Sequence, residues 1–117
     1  MTTPTLGSIL LGSANPDRLR AWYHAALAPD PTDHGFVEFG GFPVLIDGRS
    51  DVAATNGDPA RVILNFHVDD AHATAAHLNE LGVTWLTEVE ERPGGWFGTL
   101  IDPDGNYVQI IQLRGGS

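Results

Sequence analysis

Asp102-Pro103-Asp104-Gly105-Asn106 stands between two apolar runs, 96–101 and 107–113. It places Asp, Pro and Gly where a type I turn prefers them, which predicts a hairpin. Upstream, Gly94-Gly95 turns the chain out of an earlier β-prone run at 83–89. Further back, residues 61–68 read as a strand with Val62, Leu64, Phe66 and Val68 on one side and Arg61, Ile63, Asn65 and His67 on the other. Asp69 or Asp70 then caps a helix through Leu81, with Ala71, Ala75, Leu78 and Leu81 inward and Gly82 as its stop. The order from 61 to 113 is strand, helix and three strands.

The first half is a shorter version of the same plan. Residues 6–13 form a weakly alternating apolar strand that ends at Asn15-Pro16-Asp17, which supplies an N-cap, a Pro at the first helical position and a first-turn acid. The helix runs over about 16–27 and buries Leu19, Trp22, Tyr23, Ala26 and Leu27, until Pro29 and Pro31 stop it. Residues 34–39 and 42–47 are strands joined across Gly40-Gly41. Two copies of β-α-β-β(-β) are an internal duplication, so the expected class is α+β: two βαβββ-type modules, the first abbreviated, with helices outside a curved mixed sheet. The 117 residues are expected to make one domain, with modules at about 5–50 and 61–113 and a Gly-, Asp-, Asn- and Pro-containing linker at about 50–60.

Composition narrows the chemistry. There is no Cys, so thiolate zinc sites, cysteine nucleophiles and disulfides are all excluded, and a reducing cytoplasm is compatible. The net charge is −9, and every basic side chain is an Arg (Arg18, Arg20, Arg49, Arg61, Arg92, Arg114), scattered along the chain. Such a surface repels phosphate backbones, so nucleic acid is not an expected partner. It either serves solubility alone or favours encounter with cationic small molecules. The apolar run 6–11 is too short to span a bilayer and no Lys or Arg precedes it, so a cytoplasmic, membrane-free protein is expected.

The polar residues of the second module suggest a site. Asn65 and His67 share the side of their strand that Ile63 faces, and Gln109 lies between Tyr107 and Ile111 on its own strand face. Together they would make a hydrogen-bonding floor for a ligand. His67 is a weak candidate for a general base; a solvated strand-end histidine is the alternative. After Gly94-Gly95, one of Trp96 and Phe97 points to the ligand side and the other to the helix layer, and Trp96 is carried forward as the stacking candidate. His24, His72 and His77 read as surface positions, whereas His34 and Glu38 share a strand face without forming a ligand set. Glu88, Glu90 and Glu91 read as a solvated loop or as a cation-attracting rim.

Phe66-His67-Val68-Asp69-Asp70, the helix ending in Leu81-Gly82, and Asp102-Pro103-Asp104-Gly105-Asn106 followed by Val108-Gln109-Ile110-Ile111 resemble the second module of the vicinal oxygen chelate superfamily. That superfamily includes glyoxalase I, extradiol dioxygenases and bleomycin-resistance proteins. Asn15-Pro16-Asp17-Arg18 with Trp22-Tyr23 is similar to the opening of the first module, although the chain is short around 29–33. The resemblance implies an open cup, a two-fold homodimer, and, in metal-dependent members, one ligand on the first and last strand of each module. Those places fall on Ser8, about Val44, Ile63 and Gln109. Val and Ile offer no donor, Ser is a poor neutral ligand and Gln offers one carbonyl oxygen, so no metal and no cofactor are expected. The implied function is metal-independent binding of a small molecule, planar or cationic, as in antibiotic sequestration, with Ser8, Ile63, Asn65, His67, Trp96, Tyr107 and Gln109 contacting it. The alternative is a superfamily lyase, isomerase or dioxygenase with a displaced metal site, for which His34, Glu38 and His67 would be the residues to examine.

Overall fold

A side-chain acceptor, a fixed φ and a negative charge occupy consecutive positions at Asn15, Pro16 and Asp17, and the first helix begins there. The computed structural model describes residues 2–32 and 36–116. Helix α1 (Pro16–Leu27) is capped by Asn15 Oδ1, which accepts from the Arg18 N–H at 3.3 Å, and it closes at Ala28 with φ 44°, one residue before Pro29. Leu19, Tyr23 and Ala26 are buried on its inner face, with Trp22 and Leu27 half-buried beside them.

The helix lies against a three-stranded sheet of β1 (Ile9–Ser13), β2 (Val37–Phe39) and β3 (Phe42–Gly48), in the order β1-β3-β2. β1 runs parallel to β3, and β2 pairs antiparallel with it across Gly40 and Gly41. Both glycines have positive φ (58° and 82°), as a two-residue type I′ hairpin requires. The second strand begins at Val37, three residues later than expected. His34, and with it the face expected to be shared by His34 and Glu38, lies outside the described residues.

Beyond β3, the Arg49 guanidinium grips Asp51 through two bonds of 2.9 and 2.6 Å, and its stem passes over Gly12. The bond to Arg49 holds the Asp51 carboxyl below the usual carboxylate range, and Arg49 is pushed up in turn by Asp51. A carboxyl lowered on folding favours the folded chain above its ordinary pKa, and the contribution fades as pH falls through the lowered value. A carbon-detected NMR titration is therefore expected to show Asp51 titrating below the ordinary carboxylate range, and Arg49→Gln is expected to raise it.

The chain divides between Ala54 and Thr55, inside the expected linker, into two compact units. The second unit is built from β4 (Leu64–His67), α2 (Ala71–Glu80), β5 (Thr84–Arg92), β6 (Gly95–Ile101) and β7 (Tyr107–Leu113), with sheet order β4-β7-β6-β5. As in the first unit, the opening strand runs parallel to the closing one, β4 against β7. The duplication thus lies in topology, and the abbreviation amounts to one strand fewer. Asp70 caps α2 by accepting from Ala73 N–H at 3.0 Å, Gly82 ends it at φ 74°, and Leu78, Leu100, Val108 and Ile110 are fully buried where helix meets sheet.

Three expectations need correction in this unit. β4 starts at Leu64 rather than Arg61: residues before it are in turns, with Arg61 N–H bonded to the Asp58 carbonyl, so Val62 is exposed instead of inward. Leu81 is exposed as well, because α2 ends before it returns to the inner face. Glu88, Glu90 and Glu91 lie within β5, which continues to Arg92 and turns at Pro93-Gly94, rather than in a loop. Among the described residues no helix is long and apolar enough to cross a membrane.

Candidate functional site

Strand pairing in the second unit arranges the face turned away from α2 in rows. Asp102 fixes the register. It is buried, its Oδ1 accepts from the backbone N–H of Asp104 (2.9 Å) and Asn106 (3.0 Å), and its Oδ2 accepts from Asn106 Nδ2 (2.9 Å). Gly105 N–H closes the turn on the Asp102 carbonyl, so Ile101 faces Tyr107 and every pair behind it follows. Asn56 braces the turn from outside, donating from its backbone to the Asp104 carbonyl and from Nδ2 to Asn106 Oδ1. The Asp-Pro-Asp-Gly-Asn motif is therefore structural, and its role is to position the strands that carry the site.

The middle row is Asn65, Gln109, Thr99 and Thr87, on β4, β7, β6 and β5. Gln109 Nε2 donates to Thr99 Oγ1 at 3.2 Å, which leaves the Gln109 carbonyl oxygen and the whole Asn65 amide without a partner among the described residues. One row along come His67, Ile111, Phe97 and Glu90. Glu90 is held by Arg92 through bonds of 3.0 and 2.7 Å, and that guanidinium lies 5.8 Å from the Phe97 ring centre. The row on the other side carries Tyr107, Ile101 and Thr84. This face offers an uncharged donor–acceptor band, an apolar floor of Ile111 and Phe97 beside it, and charges at its edges.

Asn65, His67, Tyr107 and Gln109 thus share one face, with Ile63 just ahead of β4. Trp96 does not join them. It pairs with Gln112, whose Oε1 caps Ala71 N–H at the start of α2, and so lies on the helix side, while Phe97 takes the place expected of it. The alternation was visible, but which of two adjacent aromatics faces the site depends on register, and that follows only once Ile101 is paired with Tyr107. The same step yields Thr99, which sequence reasoning missed. His67 is exposed and no hydrogen bond or ion pair orients it among the described residues, so the geometry gives it no partner of the kind a general base requires.

In the first unit, Ser8 is exposed immediately before β1. Val44 is 4% exposed and belongs to the core under α1; the next residue, Leu45, occupies the other face opposite Leu10. Shifting the register by one residue exchanges one aliphatic side chain for another, so the donor chemistry of the implied metal positions still amounts to a hydroxyl and an amide. Among the described residues no three His, Cys, Asp or Glu side chains converge. The residues present do not fit a catalytic divalent metal.

A sequence model described as the glyoxalase-like domain matches residues 8–111, nearly the entire chain. The chain belongs to the glyoxalase-like domain family. Through it, the chain is part of the vicinal oxygen chelate superfamily, with the mixed α+β architecture described above. No curated protein matches this glyoxalase-like domain by sequence. Solved structures similar to it include a glyoxylase/bleomycin resistance protein/dioxygenase domain from Frankia sp. EAN1pec, 19% identical with a TM-score of 0.76, covering 97% of this chain and 100% of that one. TnmS3, an antibiotic binding protein from Streptomyces sp. CB03234, is 22% identical with a TM-score of 0.70, covering 97% and 99%. A lactoylglutathione lyase from Agrobacterium tumefaciens is 16% identical with a TM-score of 0.73, covering 99% and 100%. Binding proteins and enzymes thus share the fold, so the fold alone does not assign a function to this chain.

Proposed function

We propose that this glyoxalase-like domain is a metal-independent binder of small molecules that holds its ligand on the helix-free face of the second sheet without transforming it. The observation that carries this reading is the donor set: the places that the superfamily resemblance implies for metal ligands fall on Ser8, Val44 or its neighbour Leu45, Ile63 and Gln109, none of which offers the imidazole or carboxylate a catalytic metal takes. In their place, Asn65 supplies an unpaired amide and Gln109 an unpaired carbonyl oxygen next to Ile111 and Phe97, which suits a planar compound with hydroxyl, carbonyl or amine groups at its edge. TnmS3 is a relative in fold that binds an antibiotic, which supports sequestration as the use of such a surface.

The test combines metal content with ligand uptake. Protein purified without chelator is expected to contain no stoichiometric Ni, Zn, Fe or Mn by elemental analysis, and planar heteroaromatic compounds are expected to raise its Tm by mass action. Near-stoichiometric metal would overturn the reading. Replacing His67 and Gln109 together by Ala is expected to weaken uptake of such a compound roughly tenfold or more, since two hydrogen bonds of about 1 kcal/mol each are lost. The fold should survive, because His67 is exposed and Gln109, half-buried, gives up a single 3.2 Å bond to Thr99. We also propose a two-fold homodimer, to be checked by light scattering in solution.

A further inference from the structure

The helix side of the second sheet holds a separate cavity of about 340 Å³, between the start of α2 and the end of β7. It is lined by Val68, Asp69, Trp96, Gln112, Arg114 and Gly115, among others. Its volume is within the range of small-molecule sites. Trp96 forms an aromatic wall and already carries a cation: the Arg114 guanidinium lies 4.7 Å from its ring centre. Arg114 is not a free positive charge, because it is ion-paired with Glu91 and also bonds the Arg92 carbonyl. Gln112 is committed to capping α2 at Ala71, and Asp70 to capping it at Ala73. Asp69 therefore remains as a carboxylate with no partner among the described residues.

A cavity with an aromatic wall, a neutralised arginine and one unpaired carboxylate has the chemistry of an organic-cation site. We infer that this cavity binds compact organic cations, such as quaternary ammonium or primary amine groups, through the Trp96 ring and the Asp69 carboxylate. The overall charge of −9 favours their encounter. The site stands on the opposite face of the sheet from Asn65 and Gln109, so it does not rest on the function proposed above.

Benzyltrimethylammonium chloride is the probe, with sodium benzoate as the anionic control, and the readout is the indole N–H signal of Trp96 in two-dimensional NMR. Benzyltrimethylammonium is expected to shift that signal saturably and more weakly at high salt, and benzoate to leave it unmoved. Asp69→Asn is expected to weaken binding about threefold or more, and Trp96→Leu, followed through neighbouring amides, roughly fivefold or more. Arg114→Ala has the opposite expected sign: it vacates the ring and frees Glu91, so the cation should bind more tightly. The exposed position of Arg114 makes that variant safe for folding. No perturbation of Trp96 by the cation, tighter binding of benzoate, or weaker cation binding in Arg114→Ala would each overturn the assignment. Cation binding that persists in Asp69→Asn but disappears in the His67 and Gln109 double variant would place the ligand on the other face and overturn it as well.

Discussion

Gly95→Ala is expected to destabilise the protein by about 3 kcal/mol or more, lowering Tm by about 10 °C or more in a thermal melt, with the damage centred on the β6–β7 pairing. A Cβ at this position would lie 2.1 Å from the Gln112 carbonyl oxygen and 3.0 Å from both the Gln112 carbon and the Leu113 Cα. All three are backbone atoms, so no rotamer change relieves the contact. The φ of 149° adds to the cost, since side-chain-bearing residues rarely adopt it. Gly94→Ala is the matched control: its Cβ would meet only the Phe97 ring edge at 3.6 Å, an ordinary contact, and a change within about 0.5 kcal/mol is expected. Equal Tm values for the two variants would refute the argument.

Asp102→Ala is expected to cost about 2–4 kcal/mol, measured by urea unfolding at neutral pH, because it strands the N–H groups of Asp104 and Asn106 and the Asn106 amide in a largely buried turn. Asp102→Asn keeps one acceptor and should lose roughly half as much. The variant is also expected to disturb ligand uptake, because the turn fixes which residues of β6 and β7 stand opposite each other. A variant that loses stability while its β6–β7 amide shifts stay unchanged would break that link.

Local chemistry made the two helices and the hairpins legible: Asn15-Pro16-Asp17, Asp70, Gly82, Gly40-Gly41 and Asp102-Pro103-Asp104-Gly105 each act through bonds to residues a few positions away. The strand 107–113 was readable to the residue because a turn bounds it on one side and the chain composition on the other. What could not be read depends on partners far along the chain. The start of β4 at Leu64 follows from Asp58 turning Arg61, and the extension of β5 to Arg92 follows from two bulges that keep it paired with β6. The facing of Trp96 and Phe97 belongs to the same class, because alternation separates the two without saying which side is which. In the candidate site, Asn65, His67, Tyr107 and Gln109 came from strand parity alone. Thr99 and Ile101 needed the cross-strand register, and Glu90 with Arg92 needed the bulges.

The parallel pairing of β4 with β7 sets the order in which the second unit can assemble. β5, β6 and β7 are joined by short turns and can zip sequentially, whereas Leu64 reaches Val108 only after α2 and two strands have been gathered between them. Closing so long a segment costs entropy before any contact repays it, so the meander is expected to nucleate refolding and β4 to dock late. Asn65 and His67 would then join the face proposed to hold ligand only in the last step, when β4 docks.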